Sequence, residues 1–544
     1  MNNGVTANAN RLLWAGFVAI LAAGVGFAIR GGIFETWRAT FGFTGLEVGL
    51  INGGGFTGFC FGIIIGGFLA DRIGYGKLVV AAFILHVISA VVTFVPSDTA
   101  DKTMAFNYLW VGTFLFSAAN GTLEAVANPL VATLFPNKRT HYLNILHASW
   151  PAGMIIGGLV GIYLGEKLAW HWKWQLGLFL VPTLIYGIMF FGQHFPKSEA
   201  SSKGLSMGQM LKDVGVLGSF VIALFIGLFL QDGLGPLLAG MTGNEFFGGG
   251  QYRLGCWIAA GVIWLVLSGM TRWAVGAFLL FVLFIVHAMV GAVELGTDSW
   301  IQNITGNIMD PTTGKWLFVY TSAIMFALRF CAHFIETKLG FSPIGILLAC
   351  SVLAVLGLNL VSIASTTGLL LVALLIYGVG KTFFWPTMLA VASDRYPRTG
   401  AVAISIMGGL GMMSAGLIGS PGLGYAKDRF ASEALQKENP GLYEEYKAEK
   451  PGKWLVFEGV AGLDGKKLGE VKATPPEKLT AEQKQVLEAD LKGDRKTLVA
   501  DSIIPMIMTV IFLIIAIYFR SIGGYKPVHI DTEKATGGVE APVR

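Results

Sequence analysis

The chain has 544 residues, of which 54% are hydrophobic and only 13% are charged, and its mean hydropathy is +0.63. Soluble domains carry about 25% charged residues, so this composition excludes an ordinary soluble protein and argues against disorder, a disulfide scaffold and nucleic-acid binding. The net charge of +5 is small, but charge is unevenly placed, because residues 427–500 hold 14 Lys/Arg and 14 Asp/Glu. The chain is an apolar body interrupted by one charged segment.

Fourteen apolar stretches are long enough to cross a bilayer, since a membrane-spanning helix needs about 20 apolar residues. In chain order they are 12–34, 47–70, 78–96, 104–134, 143–165, 174–194, 214–235, 252–271, 275–302, 316–336, 343–364, 367–392, 399–424 and 501–520. Six spans, two spans and six spans follow one another, with the charged segment before the last. This pattern predicts an all-α polytopic membrane protein.

The same pattern divides the chain into five parts. Residues 1–196 are predicted to form an N-terminal six-helix bundle, and residues 197–273 a linker with two extra membrane helices. Residues 274–426 hold the first five helices of a C-terminal bundle, 427–500 the charged segment, and 501–544 the last span with a tail. The charged segment is either a small solvated cap or a domain that recruits a partner or substrate.

The charges of the short loops predict the orientation. With the N-terminus inside, the inner loops and their flanks carry fourteen Lys/Arg, and the outer short loops carry six. Because positive residues concentrate on the cytoplasmic side, we expect both termini in the cytoplasm and the charged segment outside. The N-terminal residues lack the pattern of a cleavable leader, so we expect a multi-pass protein of a cell membrane, such as a bacterial inner membrane.

Glycine recurs every four residues in two of the spans. The two sets are Gly54, Gly58, Gly62 and Gly66 in the second span, and Gly153, Gly157, Gly161 and Gly165 in the fifth. Each set places a smooth stripe on one helix face, where a neighbouring backbone can approach closely. Such stripes suit helices that slide or rock, and they equally suit static, tight packing.

The second span ends in GFLADRIGYGK, which places Gly67, Asp71, Arg72, Gly74 and Lys77 at a predicted inner loop. This segment resembles the inner-loop signature of the major facilitator superfamily. The resemblance covers the twelve spans other than the extra pair, and it implies two six-helix bundles around a cavity that opens alternately to each side. We expect the five residues to form a conformational gate, in which the aspartate pairs with cations or a helix N-terminus across the interface.

Spans four and five resemble the fucose permease branch of that superfamily, in which an E-x-x-x-N-P motif precedes an L-N-x-x-Q segment. Glu124, Asn128 and Pro129 match the first part, and Leu143 and Asn144 match the second. The resemblance implies that Glu124 takes part in proton coupling or sugar binding.

Two positions depart from that branch, because His147 stands where glutamine is common and Trp150 where asparagine is common. The acidic residue of that branch's first span also has no evident match in FAIRGGIFETW. His147 is either a packed core histidine or a hydrogen-bond partner of the substrate. Trp150 and Trp385 either stack on a sugar ring or pack the core.

Ionisable groups at membrane depth are costly and usually face a partner or a water-filled cavity. With nearby polar and aromatic residues, the candidate site comprises Arg30, Glu124, Asn128, His147, Trp150, Glu294, Asp298, Gln302, Arg329, Lys381 and Trp385. Glu124 is either a structural partner of Arg30 or Lys381, or a protonatable carboxylate that moves a proton with the substrate. Arg30, Arg329 and Lys381 either grip an anion or are neutralised by the acids of the set. The run VELGTDSWIQNITG, residues 293–306, is either a gating segment or the cap of a helix end.

No nucleophile–base array, metal-ligand spacing or nucleotide-binding loop stands out, so we expect neither an enzyme nor a cofactor or metal site. The leading hypothesis is a secondary transporter that moves a small polar solute, with a sugar as first candidate, by proton-coupled alternating access. An organic or inorganic anion carrier is the alternative, and a transporter-like ligand sensor is the third. The expected partners are the solute, the proton and the lipid bilayer, with no nucleic acid and a monomeric chain.

Overall fold

The computed structural model describes residues 8–135, 139–195, 211–331, 334–335, 338–396, 399–526 and 528. These ranges are predominantly helical, and their only β-type pairings are two isolated bridges in the charged segment, Lys447 with Leu463 and Gly452 with Val460. The structure confirms the predicted all-α polytopic membrane fold.

The described part of the N-terminal half contains eight α-helices. They are α1 (Ala9–Gly32), α2 (Phe34–Phe41), α3 (Gly45–Ile73), α4 (Tyr75–Phe94), α5 (Lys102–Leu134), α6 (Arg139–Val160), α7 (Trp172–Gly177) and α8 (Leu180–Phe190). Thr44 begins α3 with a reciprocal capping box, in which its side chain accepts from the Glu47 amide and the Glu47 side chain accepts from the Thr44 amide. The most extensive helix packing in this half joins α3 to α5 and α1 to α6.

The helices between the two halves form two spans, at the positions of predicted spans seven and eight. They are α9 (Gly215–Leu228), which leads through a π-helical segment into α10 (Gly235–Thr242), and α11 (Gly250–Met270). α9 and α11 pack on each other, and the Trp264 indole on α11 donates to the Val216 carbonyl at 3.1 Å. The extra helices are therefore a paired hairpin between the two halves of the sequence.

Twelve further α-helices lie in the described part of the C-terminal half. They are α12 (Phe278–Gly291), α13 (Thr297–Ile308), α14 (Pro311–Leu328), α15 (Pro343–Ile363), α16 (Thr367–Thr382), α17 (Phe384–Arg395), α18 (Gly400–Ser414), α19 (Ser420–Glu438), α20 (Pro440–Tyr446), α21 (Gly465–Ala473), α22 (Ala481–Asp501) and α23 (Ile503–Ser521). A π-helical segment, Ala292–Gly296, joins α12 to α13, and another, Ala415–Gly419, joins α18 to α19. These two segments pack against each other.

Twelve helices in the described ranges are long and apolar enough to cross a membrane. Two further helices, α5 and α14, lie at predicted spans four and ten. Every predicted span therefore has a helix in the structure, in the predicted order of six, two and six.

The charged segment is built on extensions of the last two spans. α19 continues to Glu438 and α22 begins at Ala481, and the two helices pack against each other. Leu435, Val486 and Ala489 belong to an apolar cluster of their own in this segment. We call the end of the bundle that carries the charged segment the segment side, and the opposite end, where α1 begins and α23 ends, the terminal side.

The glycine stripes lie in close helix contacts. A Cβ atom added at Gly58 would stand 2.2 Å from the Phe114 carbonyl oxygen, and one added at Gly153 would stand 2.4 Å from the Leu21 carbonyl oxygen. No side chain fits at these distances, so α3 touches α5, and α6 touches α1, through their backbones. This confirms the predicted close approach. Because both contacts lie within the N-terminal half, they favour static packing over sliding.

Candidate substrate site and gate

Arg329 connects the two halves near the middle of the bundle. It directly follows α14, and its guanidinium donates to the His147 carbonyl oxygen on α6 at 2.9 Å. The same guanidinium interacts electrostatically with Glu294, Glu124 and Asp298. Glu124 belongs to the N-terminal half, whereas the other two acids belong to the C-terminal half. One cation thus interacts electrostatically with carboxylates from both halves.

Lys381 forms an ion pair with Asp298, and the two side chains are only 1% and 2% exposed. The Lys381 ammonium also lies 5.4 Å from the centre of the Tyr377 ring. All three residues belong to the C-terminal half. Of the two cations suggested by the sequence as structural partners of Glu124, Lys381 is instead neutralised by Asp298, and the described cation that interacts with Glu124 is Arg329.

Glu294 lies in the π-helical segment Ala292–Gly296 and is 3% exposed. Its Oε2 atom has no hydrogen-bond partner within the described part of the chain. Buried polar atoms are nearly always satisfied, and π-helical turns are frequent at functional sites. Glu294 is therefore suited to bind a proton or a ligand that completes its hydrogen bonding.

A small cavity lies beside Arg30. Its volume is about 20 Å³, and its polar lining residues are Arg30, Asn52, Ser117, Asn120 and Trp150. The Arg30 guanidinium lies 4.8 Å from the centre of the Phe116 ring, and its Nε has no partner among the described residues. None of the described residues that line this cavity is an acid. Ligand sites usually enclose about 300–1,000 Å³, so the cavity is too small for a solute in this conformation and has room for about one water molecule.

Three other predicted site residues occupy different surroundings. Asn128 has a buried Oδ1 atom without a partner in the described ranges. The Trp150 ring lies 5.5 Å from Phe27, beside the cavity, whereas the Trp385 ring packs on His287 at 4.6 Å in the C-terminal half. The structure thus brings Trp150 to the cavity and Trp385 to a buried histidine.

Gln302 lies in contacts that close the segment side. Its side-chain amide donates to the Ala28 carbonyl oxygen at 2.9 Å, and the neighbouring Asn303 donates to the Gly31 carbonyl oxygen, also at 2.9 Å. Both bonds join α13 to α1, across the two halves. The run 293–306 is therefore part of the closed interface on this side.

A second contact between the halves joins α3 to the region of α19. The Asn52 amide donates to the Ser420 hydroxyl at 3.0 Å. A Cβ atom added at Gly53 would stand 2.1 Å from the Gly416 carbonyl oxygen. The backbones of the two halves therefore touch here, and the conformation is closed on the segment side.

The predicted gate residues lie at the terminal side, at the end of α3 and the start of α4. Gly74 has a φ of 84° at the turn between the helices, a conformation that favours glycine. A Cβ atom added at Gly67 or Gly74 would have no neighbour within 4 Å among the described atoms, and Lys77 is exposed. The side chains of Asp71 and Arg72 lie outside the described part of the structure, so their gate role stays a prediction.

Three functional candidates were not singled out from the sequence. Asn52 and Asn120 line the cavity, and the carboxylate of Asp501 accepts from the Thr297 hydroxyl at 2.5 Å in a buried contact. The available signal was an amide or acid within or beside an apolar run, as in INGGG and SAANGT. The side chain of Asn144, part of the motif match, lies outside the described residues.

Residues 16–420 match the family model described as the Major Facilitator Superfamily. The chain belongs to the Major Facilitator Superfamily. This membership confirms the resemblance of the second span to the superfamily's inner-loop signature, and it points to a transporter rather than an enzyme.

Curated relatives match parts of the chain. The cis,cis-muconate transport protein of Acinetobacter baylyi is 27% identical over 176 residues, which are 32% of this chain and 40% of that protein. A trichothecene efflux pump of Fusarium sporotrichioides is 28% identical over 235 residues, or 42% and 34% of the two chains. The L-fucose-proton symporter of Escherichia coli is 29% identical over 136 residues, or 25% and 30%. The matched region spans two fifths or less of the length of these relatives.

Solved structures share the fold. A bacterial homologue of the human lysosomal transporter Spinster, inward-facing and occupied, has a TM-score of 0.57 and 14% identity, covering 94% of this chain and 97% of that chain. The POT family transporter PepTSo has a TM-score of 0.57 and 11% identity, with coverages of 93% and 98%. A D-xylose-proton symporter has a TM-score of 0.53 and 13% identity, with coverages of 75% and 88%.

Proposed function

We propose that the chain is a proton-coupled secondary transporter that moves a small polar solute by alternating access. The observation that carries the proposal is the bond from Arg329 to the α6 backbone, made by a cation that interacts electrostatically with Glu124 of one half and Glu294 of the other. This bond to the His147 carbonyl oxygen already joins the halves. A cation shared between acids of two halves is an element whose partners change when either acid binds a proton.

The coupling follows from electrostatics in a poorly hydrated site. When Glu124 and Glu294 are both ionised, each attracts the Arg329 guanidinium, which holds the halves together. When Glu124 binds a proton, its attraction for Arg329 is lost and the cation stays with the C-terminal half. Solute binding then changes which arrangement of the halves is favoured, and the proton moves with the solute.

A sugar is the first candidate for the solute. The cavity presents the amides of Asn52 and Asn120 and the hydroxyl of Ser117 beside the ring of Trp150. Amides and hydroxyls hydrogen-bond sugar hydroxyls, and an indole face packs on the C–H face of a sugar ring. The partial match to an L-fucose-proton symporter supports the same class.

An anion carrier is the second candidate, and Arg30 favours it. Among the described residues no acid lines the cavity that holds Arg30, and a buried arginine without an acidic partner there is suited to a carboxylate or phosphate. The partial match to a cis,cis-muconate transport protein, whose named compound is a dicarboxylate, supports this alternative. Asp298 neutralises Lys381, so the anion-carrier hypothesis depends on Arg30 and Arg329.

The proposal includes an orientation. The segment side would face the outside of a cell membrane, such as a bacterial inner membrane, with both termini in the cytoplasm and the chain acting as a monomer. The loop charges support this arrangement. A Val456→Cys variant whose four native cysteines have been replaced tests it, because position 456 is exposed. We expect a membrane-impermeant thiol reagent to label this cysteine in intact cells without permeabilisation.

The test of function uses purified protein in sealed vesicles. A thermal-shift screen of monosaccharides, nucleosides, carboxylates and oxyanions first finds a stabilising ligand. Uptake of that ligand is then driven by a pH gradient in the unmodified protein, in Glu124→Gln and in Glu433→Gln, an exposed control.

We expect Glu124→Gln to lose accumulation driven by the pH gradient while it still exchanges solute across the membrane, and Glu433→Gln to behave like the unmodified protein. Full accumulation in Glu124→Gln would contradict the coupling role. Stabilisation by an anion that Arg30→Gln abolishes would favour the second candidate. Ligand binding without any flux would indicate a sensor.

A further inference from the structure

The charged segment is fastened to the N-terminal half by a polar contact and by close backbone packing. Lys472 on α21 pairs with Glu35 on α2 at 3.0 Å. A Cβ atom added at Gly469 would stand 2.6 Å from the Ala39 Cβ atom, and one at Gly465 would stand 2.2 Å from the Phe43 carbonyl oxygen. α21 therefore lies directly on α2, with two glycines at the contact.

A second contact places a carboxylate of the C-terminal half on a helix end of the N-terminal half. Asp428, on α19, accepts from the backbone amides of Gly45 and Leu46 at 2.9 and 2.7 Å. These amides begin α3, where the first N–H groups have no partner within the helix and where the helix dipole favours an anion. Asp428 thus supplies a cap for a helix of the opposite half.

The same segment is joined more firmly to the C-terminal half. α19 and α22 extend spans of that half, and Lys427 on α19 pairs with Asp494 at 2.5 Å and Asp490 at 3.2 Å, both on α22. Asn307 on α13 donates to Asp494 at 2.6 Å. The Lys427 and Asp494 side chains are 2% and 0% exposed, so this part of the segment packs as one body with the C-terminal half.

Charges of both signs meet across the contact. Three cations, Arg38, Lys427 and Lys472, face the four acids Glu35, Asp428, Asp490 and Asp494. Burial lowers the pKa of Lys472, but Asp490 and Glu35 more than offset this and hold the pKa above its ordinary value. Lys472 therefore stays charged, and separating it from Glu35 leaves a partly buried acid with one cation fewer.

We infer that residues 427–500 form a lid that moves with the C-terminal half and whose contacts with the N-terminal half hold the segment side closed. Opening that side then breaks the Lys472–Glu35 pair, the α21–α2 contact and the Asp428 cap, while the Lys427 contacts stay intact. This inference rests on the proposed alternating access and assigns a gating role to the charged segment.

The test weakens the lid at its contact with the N-terminal half. Gly469→Ala adds a methyl group where the nearest atom would be 2.6 Å away, and Glu35→Gln removes the charge that faces Lys472. Gly441→Ala is the matched control, since it is also a helical glycine of the lid, but its added Cβ has its nearest neighbour at 3.7 Å.

Distances between pairs of spin labels report the motion in protein whose four native cysteines have been replaced. The label positions are Thr99 on the N-terminal half, Ile363 on the C-terminal half and Val456 on the lid, all exposed. The Thr99–Ile363 pair reports separation of the halves, and the two pairs with Val456 report which half the lid follows.

We expect Gly469→Ala and Glu35→Gln to raise the long-distance population of the Thr99–Ile363 and Thr99–Val456 pairs about tenfold over the unmodified protein, which corresponds to about 1.4 kcal/mol. The Val456–Ile363 distance should stay constant, and Gly441→Ala should change nothing. Unfolded protein is recognised separately, because it would broaden all three distributions.

Two results would overturn the inference that residues 427–500 form a lid. One is separation of the halves while Val456 stays at its short distance from Thr99. Alternating access would then stand, but the lid would move with the N-terminal half. The other is an unchanged Thr99–Ile363 distance in both variants, which means that other contacts hold this side closed. Solute uptake in vesicles decides separately whether the chain transports at all.

Discussion

Replacing Lys381 by methionine tests whether this buried cation belongs to a structural ion pair. The side chains of Lys381 and Asp298 are 1% and 2% exposed, so Lys381→Met leaves Asp298 buried without its cation. Removing one partner of a buried pair costs about 3–5 kcal/mol. Lys102→Met is the comparison, because the Lys102–Glu47 pair, at 2.9 Å, is 38% and 31% exposed. An exposed pair contributes about 0–1 kcal/mol.

The assay is reversible denaturation in mixed micelles, applied to the two single variants, Lys381→Met and Asp298→Asn, and to the double variant. We expect each single variant to lose about 3 kcal/mol or more of unfolding free energy. The double variant should recover most of this loss, because it removes both charges together. Lys102→Met should unfold within about 1 kcal/mol of the unmodified protein.

The result that would refute this reasoning is a Lys381→Met variant as stable as Lys102→Met, or a double variant whose loss equals the sum of the single losses. Either would mean that Lys381 and Asp298 are not energetically coupled. Lys381 would then be available to an anionic solute, and the second candidate function would gain a further cation.

Three other substitutions give distinct results. Gly62→Val should abolish the yield of folded protein on size-exclusion chromatography, because a Cβ atom at Gly62 would stand 2.1 Å from the Ala118 carbonyl oxygen. Gly67→Ala is the control and should elute normally, because a Cβ atom there would have no described neighbour within 4 Å. Equal yields would contradict the packing. Arg30→Gln should raise the unfolding temperature in the absence of solute, since it removes a buried charge that has no acidic partner within the described ranges. A lower temperature would indicate a partner that Arg30 already holds. Asp428→Ala should lower the unfolding free energy by about 0.5–2 kcal/mol through loss of the α3 cap, and an unchanged value in reversible denaturation would argue against that cap.

The positions of the spans were predictable because length and hydropathy are local properties of the chain. The ends of the helices were less predictable than their positions. Predicted span one ends at residue 34, yet α2 continues the path to Phe41. Predicted span thirteen ends at residue 424, yet α19 continues to Glu438. Hydropathy marks where the bilayer begins, but a helix extends beyond that point when its polar residues find tertiary partners, as Lys427 does.

The site shows the same division between local and tertiary information. An ionisable residue in an apolar run is visible in the sequence, and Glu124, Arg329 and Lys381 were all found in this way. Their pairing was not visible, because it depends on how the helices pack. Lys381 meets Asp298, 83 positions away, instead of Glu124.

The contacts that close the segment side include a small number of polar bonds between the halves, and the modest strength of these bonds makes the closed state reversible. Gln302 and Asn52 join the halves through single amide hydrogen bonds at 2.9 and 3.0 Å, each contributing about 0.5–1.5 kcal/mol. A few such bonds sum to the few kcal/mol that separate exchanging conformations, which proton and solute binding can reverse. The ion pair between Lys472 and Glu35 adds to this sum without touching the cavity. The charged segment, which does not contact the cavity, can therefore change the equilibrium between the closed and open states of the segment side.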